Sequence, residues 1–315
     1  MRKLEQNLLL HEVKVICERR QWLFDYHCWE HFMSTQWTTQ PLTPPVWYPF
    51  YRLILLVLHL TVVVASLWEQ DRASRLKFWL LYYDNWAMLV LLLHGTCAAG
   101  LGLGLWRRRR TTCPWQPGLV RESVLRLHWL SGTAVVVTAV QIFTFYFGFK
   151  LMGRFEPTYD YIHTGIVKRV WLMLYALQEI FVSHTPWRIQ HFYIHIVMGA
   201  HYVMFAAVYR SLGGLDYMGR AYLYRFLDFD NRLLVGVGAA CIIVFNCIVH
   251  CLFYLCYRIR VFLWRSWWES VARRKACARA PRPLTSTTDT TAAKDTVAQI
   301  QQLRLTSESQ EMIYP

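Results

Sequence analysis

The chain is poor in charge and poorer still in acid. Charged residues are 17% of its 315 residues, with 20 Asp+Glu against 34 Lys+Arg, whereas a soluble domain carries about 25%. With 55% hydrophobic residues, the bulk of the chain is not intrinsically disordered. Only 11 prolines and 15 glycines are present, which excludes a collagen-like sequence. Nine cysteines in 315 residues are too few for a disulfide scaffold, and none falls in a segment that the topology below turns outward, so no extracellular disulfide is expected. No Asn-x-Ser/Thr glycan acceptor occurs anywhere. The motifs of soluble catalysis are missing too: no GxSxG elbow, no phosphate-binding GxxxxGK[ST] and no GxGxxG placed after a strand. What is abundant is apolar sequence in long runs. A soluble nucleic-acid binder with a net charge of +14 has no need of such runs, so no nucleic-acid partner is expected.

A bilayer core about 30 Å thick needs about 20 apolar residues in helical form. Six windows qualify: 47–68, 78–106, 127–149, 161–183, 190–209 and 233–257. They are continuous rather than alternating, which points to helices and not barrel strands. The fourth is the poorest, because it holds Lys168, Arg169 and Glu179. The expected fold is therefore all-α: a polytopic membrane protein with six transmembrane helices. With both termini cytosolic, the inner segments carry 22 Lys and Arg and the outer segments 9, as the positive-inside rule requires. The chain then divides into a cytosolic N-terminal segment (1–46), a six-helix domain (47–257), and a basic juxtamembrane stretch with a disordered Thr- and Ser-rich tail (258–315). Residues 1–46 lack the apolar core of a signal peptide. Arg107 to Arg110 and the basic 258–282 stretch face the inner leaflet, where anionic lipid is the expected partner at about 1 kcal/mol per residue.

Ionisable groups at membrane depth are costly and mark candidate sites. Asp84 and Lys168 each lie six or seven residues into spans that run inward from the outer face. At 1.5 Å per residue both are about 9–10 Å deep, so an Asp84–Lys168 ion pair is expected. Asn85 and Arg169 adjoin them, Arg169 about 100° round its helix. Glu179, near the inner end of the same span, is expected to pair with Arg188 across a short loop. His191 and His195 are four apart and share a face, but no HExxH pattern surrounds them, and no metal site or cofactor is expected. Cys247 and Cys251 share a helix face as packing residues. Gly100 opens a Gly-Leu-Gly-Leu-Gly run whose small residues favour close helix contact.

From about residue 47 to 263 the chain resembles the rolling stone family of animal multi-pass proteins. The residues that carry this are Tyr51-Arg52 opening the first span, Asp84-Asn85-Trp86 where the family has Thr-Asn-Trp, and His163 followed by Glu179 where it has His and then Asp. Next come Pro186, Arg188 and His191. The most specific block is the outer loop: Gly213-Gly214-Leu215-Asp216, then Gly219, Tyr222, Tyr224, Leu227 and Asp228. The resemblance implies a plasma-membrane protein in cell–cell contact, myoblast-type membrane fusion or membrane organisation, with a cell-surface protein as partner. A more distant similarity, to the androgen-induced intramembrane lipid hydrolases, implies ester hydrolysis by a Thr and a His within the bilayer. Here Asp84 stands at the Thr position and His163 at the His position, so the two are the catalytic candidates of that alternative. A transporter or channel pathway along Asp84, Lys168 and Arg169 is a second alternative.

Overall fold

The computed structural model describes residues 47–108, 119–151, 162–183 and 185–279. The N-terminal segment, Arg109 and Arg110, and the Thr- and Ser-rich tail lie outside them. The chain divides into two units, one of residues 24–264 and one that includes the described residues 265–279.

Among the described residues six α-helices follow one another: α1 (Trp47–Arg72), α2 (Tyr83–Arg108), α3 (Leu119–Leu151), α4 (Ile162–Val182), α5 (Tyr193–Ser211) and α6 (Arg232–Arg279). Short 3₁₀ turns at Leu76–Leu81, Ile189–Phe192 and Arg225–Leu227 link or preface them. Among the described residues, five helical stretches are long and apolar enough to cross a membrane: Trp47–Arg72, Tyr83–Gly104, Glu122–Phe143, Ile189–Ser211 and Arg232–Trp264. α4 has the length, about 31 Å at 1.5 Å per residue, but it carries three charged residues, Lys168, Arg169 and Glu179.

The burial pattern explains those charges. On α1 the buried positions are Tyr48, Pro49, Arg52, His59, Val63, Ser66 and Gln70, while Leu53, Ile54, Val57, Leu58, Leu60 and Val64 are exposed. A water-soluble helix does the reverse. On α4, Lys168, Arg169 and Glu179 are buried and Val167, Val170 and Leu174 are exposed. The polar residues face the bundle and the apolar ones face where lipid would lie. α3 is the central helix, with an almost unbroken buried run from Ser131 to Ile142, packed on α2, α4 and α5. α6 buries one stripe, Asn246, His250, Phe253, Tyr257 and Arg260, spaced by four and three residues. It continues as helix to Arg279, so the first part of the basic stretch after residue 257 is helical. Of the glycines in the Gly100 run, Gly102 approaches Pro49 of α1, where a Cβ would sit 3.4 Å from Cα, whereas a Cβ at Gly100 meets nothing within 4 Å.

Candidate functional site

Polar side chains gather at two levels of the bundle. The first is where α2 and α4 begin. Asp84 Oδ2 accepts hydrogen bonds from Arg169 Nε at 2.9 Å and Arg169 Nη2 at 2.6 Å. Lys168 Nζ donates to Asn85 Oδ1 at 2.7 Å. The depth match of Asp84 with the α4 cations is present, but the cation on the Asp84 carboxylate is Arg169, and Lys168 serves Asn85. Two adjacent residues on α4 meet two adjacent residues on α2, so the 100° step on one helix is answered by the same step on the other. Asn85 Nδ2 also donates to Trp79 O at 2.6 Å, which ties the turn Leu76–Leu81 to the site. Below it, Tyr83 OH donates to Gln141 Oε1 at 2.6 Å and Gln141 Nε2 donates to His195 O at 3.2 Å.

The second level is centred on Glu179. Its partner is Arg52 of α1, not Arg188. Nη1 and Nη2 of Arg52 lie 2.6 Å and 3.0 Å from Glu179 Oε2 and Oε1, a two-pronged geometry that Lys cannot reproduce. Arg52 also donates to Tyr48 OH at 2.6 Å and Tyr175 OH at 3.2 Å. Arg188 instead lies 4.6 Å from the centre of the Trp129 ring. Three histidines from three helices surround the ion pair. His94 (α2) lies 3.7 Å from Glu179 Oε1 through Nε2. His128 (α3) stacks on His94, with ring centres 4.5 Å apart and planes within 6°. His59 (α1) accepts Trp171 Nε1–H at Nδ1, 3.0 Å away. Two glycines make room for these rings. A Cβ at Gly95 would lie 2.9 Å from His59 Cδ2, and one at Gly132 would lie 2.8 Å from His94 Cε1.

The other histidines are dispersed. His191 is buried in the turn before α5. His195 Nε2 meets His250 Nδ1 at 3.2 Å, and His250 Nε2 is 3.2 Å from Arg188 O. The shared face of His191 and His195 thus leads to His250 of α6, with no carboxylate among these contacts. Arg260 donates to the carbonyls of Ile180 and Ser183 at the end of α4. Cys247 is half-buried and Cys251 exposed, both with free thiols. His163 lies on the first turn of α4, with its side chain outside what the structure describes. Asp84 is held as the anion of an ion pair, which removes the free carboxylate that nucleophilic attack requires.

The loop between α5 and α6 is folded, not trailing. Asp216, with its side chain fully buried, is its knot. Oδ1 accepts the backbone N–H of Met218 at 2.8 Å and of Arg220 at 2.7 Å, and Oδ2 accepts Arg220 Nε at 2.6 Å. Gly213 and Gly219 have φ of +80° and +76°, the left-handed region that favours glycine. Gly214 lies against the Tyr209 ring, where a side chain would collide, and Tyr209 OH donates to Leu215 O at 2.9 Å. Tyr224 accepts the backbone N–H of Tyr83 at 3.2 Å, which joins the loop to the start of α2. Burial holds the Tyr224 phenol well above its usual pKa, and the nearby Asp84 carboxylate pushes the same way. The Tyr222 ring is capped by Arg220 at 5.2 Å. Asp228 Oδ1 accepts Asp230 N–H at 3.2 Å, and Asn231 Oδ1 caps α6 through Leu234 N–H at 3.0 Å. Leu212, Leu215 and Met218 stay exposed on this framework.

Sequence reasoning found Asp84, Asn85, Lys168, Arg169 and Glu179 as one polar set. The structure divides them between two levels. It missed His59, His94 and His128, and it gave Arg52 no partner. The available signal was a single histidine in each of the first three spans. Compared with known proteins, the chain matches no family model, no curated protein and no solved structure.

Proposed function

We propose that this is a six-span plasma-membrane protein of rolling stone type, with both termini cytosolic, acting in cell–cell contact, membrane fusion or membrane organisation through its outer loop. On this topology α4 is the fourth of the six spans, its charges turned inward onto α1 and α2. The loop 212–231 is the working surface, and its partner is a protein on the facing membrane. Arg107 to Arg110 and the basic end of α6 rest on anionic lipid at the inner leaflet.

The observation that carries this reading is the Asp216 knot. A loop that only spans two helices needs no buried carboxylate with three donors, yet this one is tied together by them and leaves Leu212, Leu215 and Met218 exposed. Preorganised apolar side chains on a polar frame suit protein contact, since little ordering entropy is lost on docking. The ion-paired state of Asp84 favours this over the hydrolase alternative.

The test mixes two differently labelled cell populations, one expressing the protein, and scores adhesion and content mixing. Wild type should exceed vector. Asp216→Ala and the triple change of Leu212, Leu215 and Met218 to Ser should return to vector level at equal surface density. Wild type indistinguishable from vector would refute the proposal, as would a loop epitope unreachable by antibody on intact cells.

A further inference from the structure

His94, His128 and Glu179 form a buried cluster of metal-ligating side chains. One ligand atom from each lies within 4.8 Å of the others, and all three residues are buried. They come from α2, α3 and α4, so the site exists only in the folded bundle. The tautomer of His94 follows from its neighbours. Nδ1 lies 3.1 Å from the carbonyl oxygen of His128 and 3.3 Å from Ser131 Oγ. The Ser131 hydroxyl already donates to that same carbonyl, at 3.0 Å. Both partners of Nδ1 are therefore acceptors, and Nδ1 carries the hydrogen. In neutral His94 the lone pair is then on Nε2, which has no hydrogen-bond partner and lies 3.7 Å from Glu179 Oε1. A lone pair facing a carboxylate oxygen in a buried site is unfavourable unless something positive lies between them.

We propose that this position binds a divalent transition-metal ion of the zinc class, with His94 Nε2, His128 and Glu179 Oε1 as ligands. Metal bonds of about 2.0–2.2 Å to both His94 Nε2 and Glu179 Oε1 fit the observed gap at an angle of roughly 125°. By contrast, 3.7 Å is too long for a hydrogen bond from a protonated ring. His128 Nδ1 is buried without a partner, and a ligand atom of His128 lies within 4.8 Å of those of His94 and Glu179. The Nδ1–H to carbonyl contact of His94 is the usual support behind a metal-bound histidine. Two imidazoles and one carboxylate select against magnesium and calcium, which prefer oxygen ligands. Arg52 bonds both carboxylate oxygens, Oε2 at 2.6 Å and Oε1 at 3.0 Å, so Oε1 takes the metal through its remaining lone pair. His59 is excluded as a ligand, because Trp171 occupies its Nδ1 and the proton is then on Nε2. Three protein ligands leave a fourth position open. The excess positive charge there favours an anionic oxygen as its occupant.

The site is about 16 Å along α2 from Tyr83, where the outer loop meets the bundle, so it stands or falls independently of the adhesion reading. The test uses the full chain purified in detergent. Metal is determined by mass spectrometry as isolated, and after chelation and reloading with zinc or cobalt(II). Wild type and the exposed-residue control His201→Gln should bind close to one metal per chain, with the ligand-field bands of low-coordinate cobalt(II). His94→Gln and His128→Gln should lose binding at least tenfold. Wild type holding no more metal than His94→Gln would overturn the proposal. Should the variants not fold, X-ray absorption of reloaded wild type decides: imidazole scattering supports the site, and oxygen ligands alone refute it.

Discussion

Removing one partner of the Arg52–Glu179 pair should cost far more than removing both. Arg52 is 2% exposed and Glu179 6%, so neither charge has water to fall back on. Arg52→Met leaves the Glu179 carboxylate buried without its two charge-assisted bonds, and it strips Tyr48 and Tyr175 of the donor they share. Breaking a buried pair in this way costs about 3–5 kcal/mol. Glu179→Met strands the guanidinium, which keeps only two phenol oxygens, and a similar loss is expected. The double Met variant has no stranded charge, and replacement of a buried pair by apolar residues is close to neutral. The cycle should therefore show a coupling of at least about 3 kcal/mol, well above the roughly 0.5 kcal/mol scatter of independent sites. Arg52→Lys keeps the charge without the fork and should fall between wild type and Arg52→Met. The assay is reversible unfolding in mixed micelles with a chelator present, so that metal binding does not enter. Additive single losses would refute the claim that these two side chains form one unit. A double variant as unstable as the singles would show that the phenols, not the ion pair, dominate.

Gly95→Ala and Gly132→Ala should each destabilise by about 1–3 kcal/mol through overpacking against His59 and His94. Gly100→Ala meets nothing and should gain from helix propensity, by up to about 1 kcal/mol; thermal melts of the three variants check the contrast. Tyr224 has a raised pKa in the folded protein, so it favours the fold below its unfolded value near 10, and that contribution fades as pH climbs toward the folded value. Tyr224→Phe should flatten the alkaline part of the stability–pH curve relative to wild type, and superimposable curves would reject this.

The helices were legible in the sequence because apolar runs of bilayer length report directly on their environment. α4 was the poorest of them for a physical reason: its charges point inward, and an average over the window cannot tell an inward charge from an outward one. The rise per residue located Asp84, Lys168 and Arg169 at one level. It could not say which cation meets the carboxylate, because that depends on how two helices are rotated against each other. Glu179 was assigned to Arg188 by closeness in the chain, whereas its partner lies 127 residues earlier. The histidine cluster fails for the same reason, since its members come from α1, α2 and α3 and show no local spacing. The Asp216 loop was legible as glycines and aspartates in a turn-forming order, but the role of Asp216 as the knot required the backbone.

The inward charges of α4 also constrain how the protein is made. Lys168, Arg169 and Glu179 would each resist entry of an isolated helix into the bilayer by about 2.5–3.5 kcal/mol at its centre. Together they set an upper limit near 8–10 kcal/mol, which few of the apolar residues of a 21-residue helix can overcome alone. Yet Arg52, Asp84 and Asn85 all precede α4 in the chain. On the six-span topology, the ribosome has already delivered the groups that neutralise α4 when α4 emerges. Its insertion then becomes a docking step onto α1 and α2, and the order of synthesis is part of what lets so polar a helix enter lipid.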